Sequence, residues 1–281
     1  MRPKLICLLA VPFTAMTIIS CNNGETKTGT TDSSATSSTP NIKEEAVSYQ
    51  ADTITAKGYV AYDENKQGKR PAVLVVHEWW GLGDYVRMRT KQLAELGYIA
   101  MAVDMYGNGR TGEDPATAQT LAMPFYQNPA LAKSRLDAAI AKLKTYPQTD
   151  TANMAAIGYC YGGFVVLNAA KQGADLKGVV SFHGNLSGVQ PNKDLLKAKI
   201  FVAHGGNDSF VPQAEVDAFK KSMDSIKADY TFKVYPGATH AFTNPNADEK
   251  AKKFNMPIKY NPAADTASWN DMKAFFATIF K

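Results

Sequence analysis

Short apolar runs alternate with longer amphipathic stretches along most of the chain. The runs at residues 72–76, 98–103, 154–157 and 199–203 are continuous, which is typical of strands buried on both faces of a parallel sheet. Further strands are predicted at residues 53–62, 176–182 and 230–235, the first of them as an edge strand. Helical spacing predicts helices at residues 84–96, 114–126, 129–146, 163–173, 211–226 and 266–280. This alternation predicts an α/β fold, with a mostly parallel, doubly wound sheet flanked by helices.

The amino terminus has a different pattern. Arg2 and Lys4 precede an apolar stretch, residues 5–19, that is short for a bilayer span, so residues 1–20 are predicted to be a signal peptide. Residues 18–21, Ile-Ile-Ser-Cys, are similar to a bacterial lipobox, which predicts lipidation at Cys21. An ordinary secretory peptide with an incidental cysteine is the alternative. We therefore expect an exported protein, held by a lipid anchor to a membrane of the cell envelope, at the periplasmic face or the cell surface.

The composition places a single domain after this leader. Residues 21–44 are rich in Ser and Thr with few large apolar residues, and they are predicted to be a flexible tether. No linker interrupts residues 45–281, and a hydrophobic content of 45% is enough for a substantial core. The net charge of +5 is too mild, and the basic residues too scattered, to indicate nucleic-acid binding. The oligomeric state stays open, with a monomer favoured.

Residues 158–163, Gly-Tyr-Cys-Tyr-Gly-Gly, connect the apolar run 154–157 to an Ala-rich helical segment. This strand–turn–helix context is that of a nucleophile elbow, in which a sharp turn exposes the nucleophile and glycines let the strand and helix approach. Cys7 and Cys21 lie in the leader, so Cys160 is the only cysteine of the predicted domain. Cys160 is either a small buried side chain or a catalytic nucleophile, and its context favours the nucleophile.

Polar residues follow other predicted strands, at the sheet edge where parallel α/β sheets bind ligands. Asp208 follows the strand at 199–203 and His240 follows the strand at 230–235. Cys160, Asp208 and His240 thus have the nucleophile–acid–histidine order of the α/β-hydrolase fold, with His240 as the base that Asp208 orients. Asp208 as a turn residue and His240 as a surface histidine are the alternatives, and His183 is the main competitor for the base. The remaining histidines directly end buried strands and are predicted to be hydrogen-bonded structural groups: His77 and His204.

Residues 77–81, His-Glu-Trp-Trp-Gly, lie on the loop that supplies an oxyanion-hole amide in this order of elements. The backbone N–H groups of Trp79 and Tyr161 are the predicted donors. Glu78 is predicted to hold the Cys160 thiol by a hydrogen bond in the resting enzyme, and a solvated loop acid is the alternative. Trp80 is predicted to form a wall of the pocket or to pack locally.

Together these motifs are similar to those of the dienelactone hydrolase family, which are cysteine-nucleophile members of the α/β-hydrolase superfamily. The matching segments, in family order, are residues 77–81, 104–106, 158–163, 205–208 and 240–242. The resemblance covers roughly residues 50–281 and implies an α/β-hydrolase fold for that part. It implies Cys160 as nucleophile, Asp208 and His240 as its partners, and Glu78 as the thiol-holding acid. It implies neither a metal nor an organic cofactor.

The sequence departs from the family pattern at two positions. Family members that act on the dienelactone hold the substrate carboxylate with two arginines, and an ungapped alignment places Asn108 and Asn244 there. Asparagine cannot form a bidentate charged pair with a carboxylate. Asn108 and Asn244 are therefore predicted as residues of a changed substrate pocket, and Arg110 could substitute for one arginine from a different position.

The predicted function is hydrolysis of a small-molecule carboxylic ester or lactone through a thioester on Cys160. One alternative is an acyltransferase or thioesterase that uses the same three residues. Another is a non-catalytic envelope lipoprotein that binds a ligand on this fold. A thiol redox sensor is a weaker alternative, because the predicted domain has no second cysteine.

Overall fold

The computed structural model describes residues 39–280. The strands of this part of the chain are β1 (Ile42–Ala51), β2 (Ile54–Asp63), β3 (Arg70–Val76), β4 (Ile99–Val103), β5 (Thr149–Tyr159), β6 (Gly178–Phe182), β7 (Lys199–Gly205) and β8 (Tyr230–Tyr235). Its helices are α1 (Asp84–Glu95), α2 (Pro115–Gln127), α3 (Pro129–Lys144), α4 (Tyr161–Lys171), α5 (Gln213–Ser225), α6 (Ala247–Phe254) and α7 (Pro262–Ile279).

The strands form one sheet in the order β1-β2-β4-β3-β5-β6-β7-β8. From β4 to β8 neighbouring strands are parallel, whereas β2 is antiparallel to both β1 and β4. The prediction of a mostly parallel sheet flanked by helices is confirmed. Because β3, β5 and β7 are parallel, the loops that follow them open at the same edge of the sheet.

Helices cover both faces of the sheet. Along β3, Leu74 and Val76 belong to the core cluster formed with α2, α3, α4 and α5, while Val73 and Val75 belong to the cluster formed with α1 and α7. A strand covered in this way is apolar at every position, which explains the continuous run in the sequence. The two cores pack against both faces of β3 and β5, and the loops that carry Glu78 and Cys160 start from these two strands.

Two elements, β1 and α6, have no counterpart among the predicted elements. β1 is an edge strand in which only the second half is buried, at Val47, Tyr49 and Ala51, so its polar first half shows no strand pattern. α6 is short and rich in charged residues, and it buries only Ala247. Because β1 lies outside β2, the prediction of residues 53–62 as an edge strand was wrong. The predicted tether also extends too far, since residues 42–44 belong to β1.

No helix within residues 39–280 combines the length and the apolar character needed to cross a membrane. The predicted signal peptide, the lipidation site Cys21 and the tether up to residue 38 lie outside the described residues.

Candidate active site

Cys160 lies between the end of β5 and the start of α4, with φ of 53° and ψ of −117°. This is a positive-φ conformation that non-glycine residues rarely adopt, and such strain is typical of functional turns. A β-carbon on Gly158 would lie 2.0 Å from the carbonyl oxygen of Gly162, and one on Gly162 would lie 2.3 Å from that of Val76. The glycines therefore allow α4 to approach the sheet closely enough to present Cys160 at its edge.

Asp208 and His240 are in hydrogen-bonding contact, although they are 32 residues apart in sequence. The Asp208 Oδ2 atom lies 2.9 Å from His240 Nδ1, and both side chains are buried. The other carboxylate oxygen, Oδ1, accepts the backbone N–H of Phe210 at 2.9 Å, which fixes the carboxylate. Because Nδ1 of His240 is bound to the Asp208 carboxylate, Nε2 is the nitrogen that can accept a proton.

His240 and Cys160 both line the same cavity. Burial opposes protonation of His240, but the nearby Cys160 sulfur and the Asp208 carboxylate outweigh burial and raise the pKa of His240 to about 10. The site thus stabilises an imidazolium, which is the form that a base takes after it has accepted the thiol proton.

His183, the main competitor for the role of base, does not line the cavity, and both nitrogens of its ring have partners within the protein. Its Nδ1 atom accepts the Cys160 backbone N–H at 3.2 Å, and its Nε2 atom lies 2.7 Å from the Thr243 hydroxyl. Burial holds the pKa of His183 well below its usual range, so the ring is neutral. A neutral histidine with both nitrogens bonded has no free lone pair for a substrate proton.

The loop after β3 is fixed from two sides. His77 is buried, with Nδ1 2.5 Å from the Glu78 carbonyl oxygen and Nε2 accepting the Met105 N–H at 3.4 Å. Burial lowers the pKa of His77 to about 4, so this ring is also neutral. The Tyr106 hydroxyl donates to the Trp79 carbonyl oxygen at 2.8 Å. These bonds orient the peptide groups on either side of Trp79 at the cavity wall.

The predicted oxyanion donors are Trp79, which shares a cavity with Cys160, and Tyr161, which follows Cys160 in the chain. Trp79 belongs to the cavity lining together with Cys160. Tyr161 is the first residue of α4, so its N–H has no acceptor within the helix and is available to a ligand. Its ring stays buried against His77 and Tyr106. The N-terminus of a helix also favours negative charge.

Glu78 is buried in the cavity wall, and its Oε2 atom accepts the Asn244 side-chain amide at 2.7 Å. Burial raises the pKa of the Glu78 carboxyl, and the Asn244 hydrogen bond opposes this shift only in part. The Asn244 Oδ1 atom accepts the Asn246 N–H at 2.9 Å. Asn244 is not among the residues that line the cavity, which corrects its prediction as a pocket residue, and its amide instead bonds Glu78 and the backbone of Asn246.

The cavity beside Cys160 has a volume of about 320 Å³, within the range of small-ligand sites. Trp80 lies in its lining, whereas the predicted pocket residue Asn108 does not. Asn108 is exposed, has φ of 57° and donates its N–H to the Thr55 carbonyl oxygen, so it belongs to a surface turn. Arg110 donates to the carbonyl oxygens of Tyr106 and Gly107 and does not substitute for a substrate-binding arginine.

Most of the cavity wall was not among the predicted site residues. It comes from α2, from the loops after β6 and β7, and from the loops on either side of α6: Gln119, Ala122, Met123, Tyr126, Asn185, Phe210, Ala241, Met256 and Ile258. No local motif marks these positions. Within residues 39–280, no group of three or more His, Cys, Asp or Glu side chains is arranged to hold a metal ion.

Comparison with known proteins gives consistent similarities. A model of the dienelactone hydrolase family matches residues 56–280. A Methylorubrum extorquens protein named "Putative carboxymethylenebutenolidase" is 30% identical over 220 residues, which are 74% of this chain and 72% of that protein. A protein of the same name from Aquifex aeolicus is 28% identical over 240 residues, covering 84% of this chain and 98% of that one.

Solved structures agree with these similarities. The crystal structure of a dienelactone hydrolase-like promiscuous phosphotriesterase from metagenomic libraries has a TM-score of 0.81 and 30% identity, covering 85% of this chain and 99% of that chain. A Klebsiella pneumoniae structure described as a putative dienelactone hydrolase has a TM-score of 0.73 and 25% identity, with coverage of 84% and 99%. The fold is the predicted α/β-hydrolase fold.

Proposed function

The chain belongs to the dienelactone hydrolase family, and from this premise we propose that it hydrolyses a carboxylic ester or lactone through Cys160, His240 and Asp208. The observation that carries the proposal is the 2.9 Å contact between Asp208 and His240 beside a cysteine on a strained elbow. These three groups supply a nucleophile, a base and the group that orients the base.

The reaction proceeds in two halves. His240 Nε2 accepts the Cys160 thiol proton as the sulfur attacks the substrate carbonyl carbon, and the backbone amides of Trp79 and Tyr161 hold the negative oxygen. The C–O bond then breaks, and His240 gives its proton to the leaving alcohol, which leaves a thioester on Cys160. In the second half, His240 takes a proton from a water molecule while the oxygen of that water attacks the thioester carbonyl carbon. The acid leaves, and the proton returns to the thiol.

Glu78 acts before the substrate binds. Its carboxyl lies in the wall of the same cavity as the thiol and is held in place by Asn244. In the proposed resting state this carboxyl accepts the thiol hydrogen bond, and substrate binding transfers the thiol to His240.

The test of this function is the hydrolysis of 4-nitrophenyl butyrate by Cys160→Ala and His240→Ala variants. We expect each to lower kcat/KM by about a thousandfold or more, since members of such a catalytic unit cannot replace one another. The melting temperature should change little, which separates chemistry from folding. Wild-type protein trapped with substrate should carry one acyl group on Cys160 by mass spectrometry. Full activity in both variants contradicts the proposal, and acylation of an added alcohol in preference to water assigns an acyltransferase instead.

We also propose that the protein is exported and anchored to a membrane of the cell envelope through lipid on Cys21. The support is the sequence of residues 1–21: a basic start, an apolar stretch and a lipobox-like segment that ends at Cys21.

A further inference from the structure

The charges around the cavity restrict the acyl group that can reach Cys160. No lysine or arginine is among the residues within 39–280 that line the cavity, and its carboxyl-bearing member is Glu78. We propose that the substrate is an uncharged ester or lactone whose acyl group is apolar and carries no carboxylate. This inference rests on the proposed function, and it concerns the substrate class of the same site.

A substrate carboxylate would meet a carboxyl group rather than a lysine or arginine at the Glu78 wall, where the positive charges of His240, Lys250 and Arg89 already act on Glu78. The side-chain amide of Asn244 already donates one hydrogen bond to the Glu78 carboxyl at 2.7 Å. An anionic acyl group placed here would lose its water and face a second carboxyl group. Burial of an unpaired charge is costly, so this arrangement disfavours the anion relative to a neutral ester.

The cations outside the cavity are engaged elsewhere. The Lys250 ammonium sits over the Trp80 indole, 4.0 Å from the ring centroid. The Arg89 guanidinium is buried, where it pairs with Asp265 and donates to the Thr243 carbonyl oxygen at 2.7 Å. Arg110 donates to backbone carbonyl oxygens. Of these three cations, Lys250 is the one that lies beside a residue of the cavity wall. A test must therefore exclude Lys250 as a binding group for a substrate carboxylate.

The walls of the cavity favour an apolar acyl group. Two large apolar side chains, Met123 and Phe210, remain 39% and 40% exposed while they line the cavity. Trp79, Trp80 and Tyr126 add aromatic surface, and Met256 adds a second flexible thioether. Exposed apolar surface that surrounds a concave site is typical of ligand binding, and methionines adapt to ligands of varied shape.

A pair of esters that differ by one methyl group tests the inference. Methyl 4-nitrophenyl adipate is neutral, and 4-nitrophenyl hydrogen adipate carries a carboxylate at the far end of the same acyl chain. At about pH 7.5, after subtraction of the enzyme-free rate, we expect the wild-type kcat/KM to be about 30-fold higher for the neutral ester. In Glu78→Gln the ratio should fall about fivefold or more, because the acidic group of the wall is replaced by a neutral amide. The ratio is internal to each variant, so a general loss of rate does not affect it.

Lys250→Met is the matched control for recognition of an anion at the rim. It should leave the neutral-to-anionic ratio within about twofold of the wild-type value, because the Lys250 ammonium lies over the Trp80 ring and does not line the cavity. Equal or faster hydrolysis of the anionic ester by the wild type overturns the inference and leaves the proposed function intact. Loss of that anionic preference in Lys250→Met would assign Lys250 as the carboxylate-binding residue. If the wild type hydrolyses neither ester, the proposed function itself fails, and this inference with it.

Discussion

The backbone of Cys160, the proposed nucleophile, is held by hydrogen bonds that connect it to the loop of the proposed base, His240. Its N–H donates to the Phe182 carbonyl oxygen at 3.0 Å and to His183 Nδ1 at 3.2 Å. His183 in turn contacts the Thr243 hydroxyl at 2.7 Å. Because Thr243 lies three residues after His240, this chain of bonds fixes the elbow relative to the proposed base, His240. We infer that Thr243 and His183 are positioning residues rather than participants in proton transfer.

The effect of Thr243 can be measured with a matched pair of variants. Thr243→Val removes the hydroxyl that bonds both His183 and Tyr85, and leaves buried polar groups without a partner. We expect kcat to fall by about 10- to 100-fold with KM within about twofold, because a small displacement of the nucleophile affects the transition state more than substrate binding. Steady-state kinetics with a neutral 4-nitrophenyl ester provide the measurement.

Thr243→Ser is the matched control, since it keeps the hydroxyl, and we expect it to retain at least half of the wild-type kcat. A merely structural role would instead lower the melting temperature of Thr243→Val and leave its kcat and KM close to the wild-type values. Wild-type kcat in Thr243→Val would therefore exclude a positioning role.

At the scale of elements, the elbow depends on the contact between β5, α4 and β3. The three atoms nearest to a β-carbon at Gly158 would all be backbone atoms, including the Gly162 carbonyl oxygen at 2.0 Å and the Gly162 carbonyl carbon at 2.2 Å. Backbone at the start of a helix cannot yield as the end of a flexible side chain can. This part of the fold is thus set by the absence of side chains at two positions.

Gly158→Ala should consequently destabilise the domain severely. We expect a loss of about 3 kcal/mol or more, which lowers the melting temperature by about 6 °C or more in a domain of this size. The control is Gly83→Ala before α1, where a β-carbon would meet nothing within 4 Å and φ is −109°. We expect that variant to melt within about 3 °C of the wild type, as followed by circular dichroism. Equal melting temperatures for the two variants would contradict the proposed steric role of Gly158.

The elements that carry the site could be predicted from sequence because their signals are local. The buried strand before Cys160 and the glycines around it lie within a few residues of one another, and each polar site residue closely follows its own strand. β1 and α6 lack such signals, since an edge strand with a polar first half and a short charged helix bury too few side chains to produce a pattern. Their existence depends on contacts with the rest of the domain.

At the scale of the whole molecule, the cavity is assembled from segments that are remote in sequence. Glu78 and Asn244 are 166 residues apart, and no pattern in either segment indicates that they bond. The family pattern identifies Asn244 as a changed position, but only the tertiary arrangement assigns its amide to Glu78 rather than to the substrate. Reaction class therefore follows from local motifs, whereas substrate class follows from the packing of α2 and the loops around the cavity.

Attachment of the whole protein to a membrane is predicted from its first residues, and two cysteines allow a controlled test. If Cys21 is the lipidated residue, Cys21→Ser removes the sulfur that carries the lipid, and we expect the protein to move from the membrane fraction to the soluble fraction after cell disruption. Cys7→Ser changes the other leader cysteine within the apolar stretch and should leave the protein in the membrane fraction. Ultracentrifugation followed by the ester assay on both fractions gives the distribution, and mass spectrometry of the mature amino terminus identifies the lipid. Persistence of Cys21→Ser in the membrane fraction would contradict a lipid anchor at this residue while leaving the hydrolase assignment untouched, because the proposed active-site residues all lie within residues 39–280.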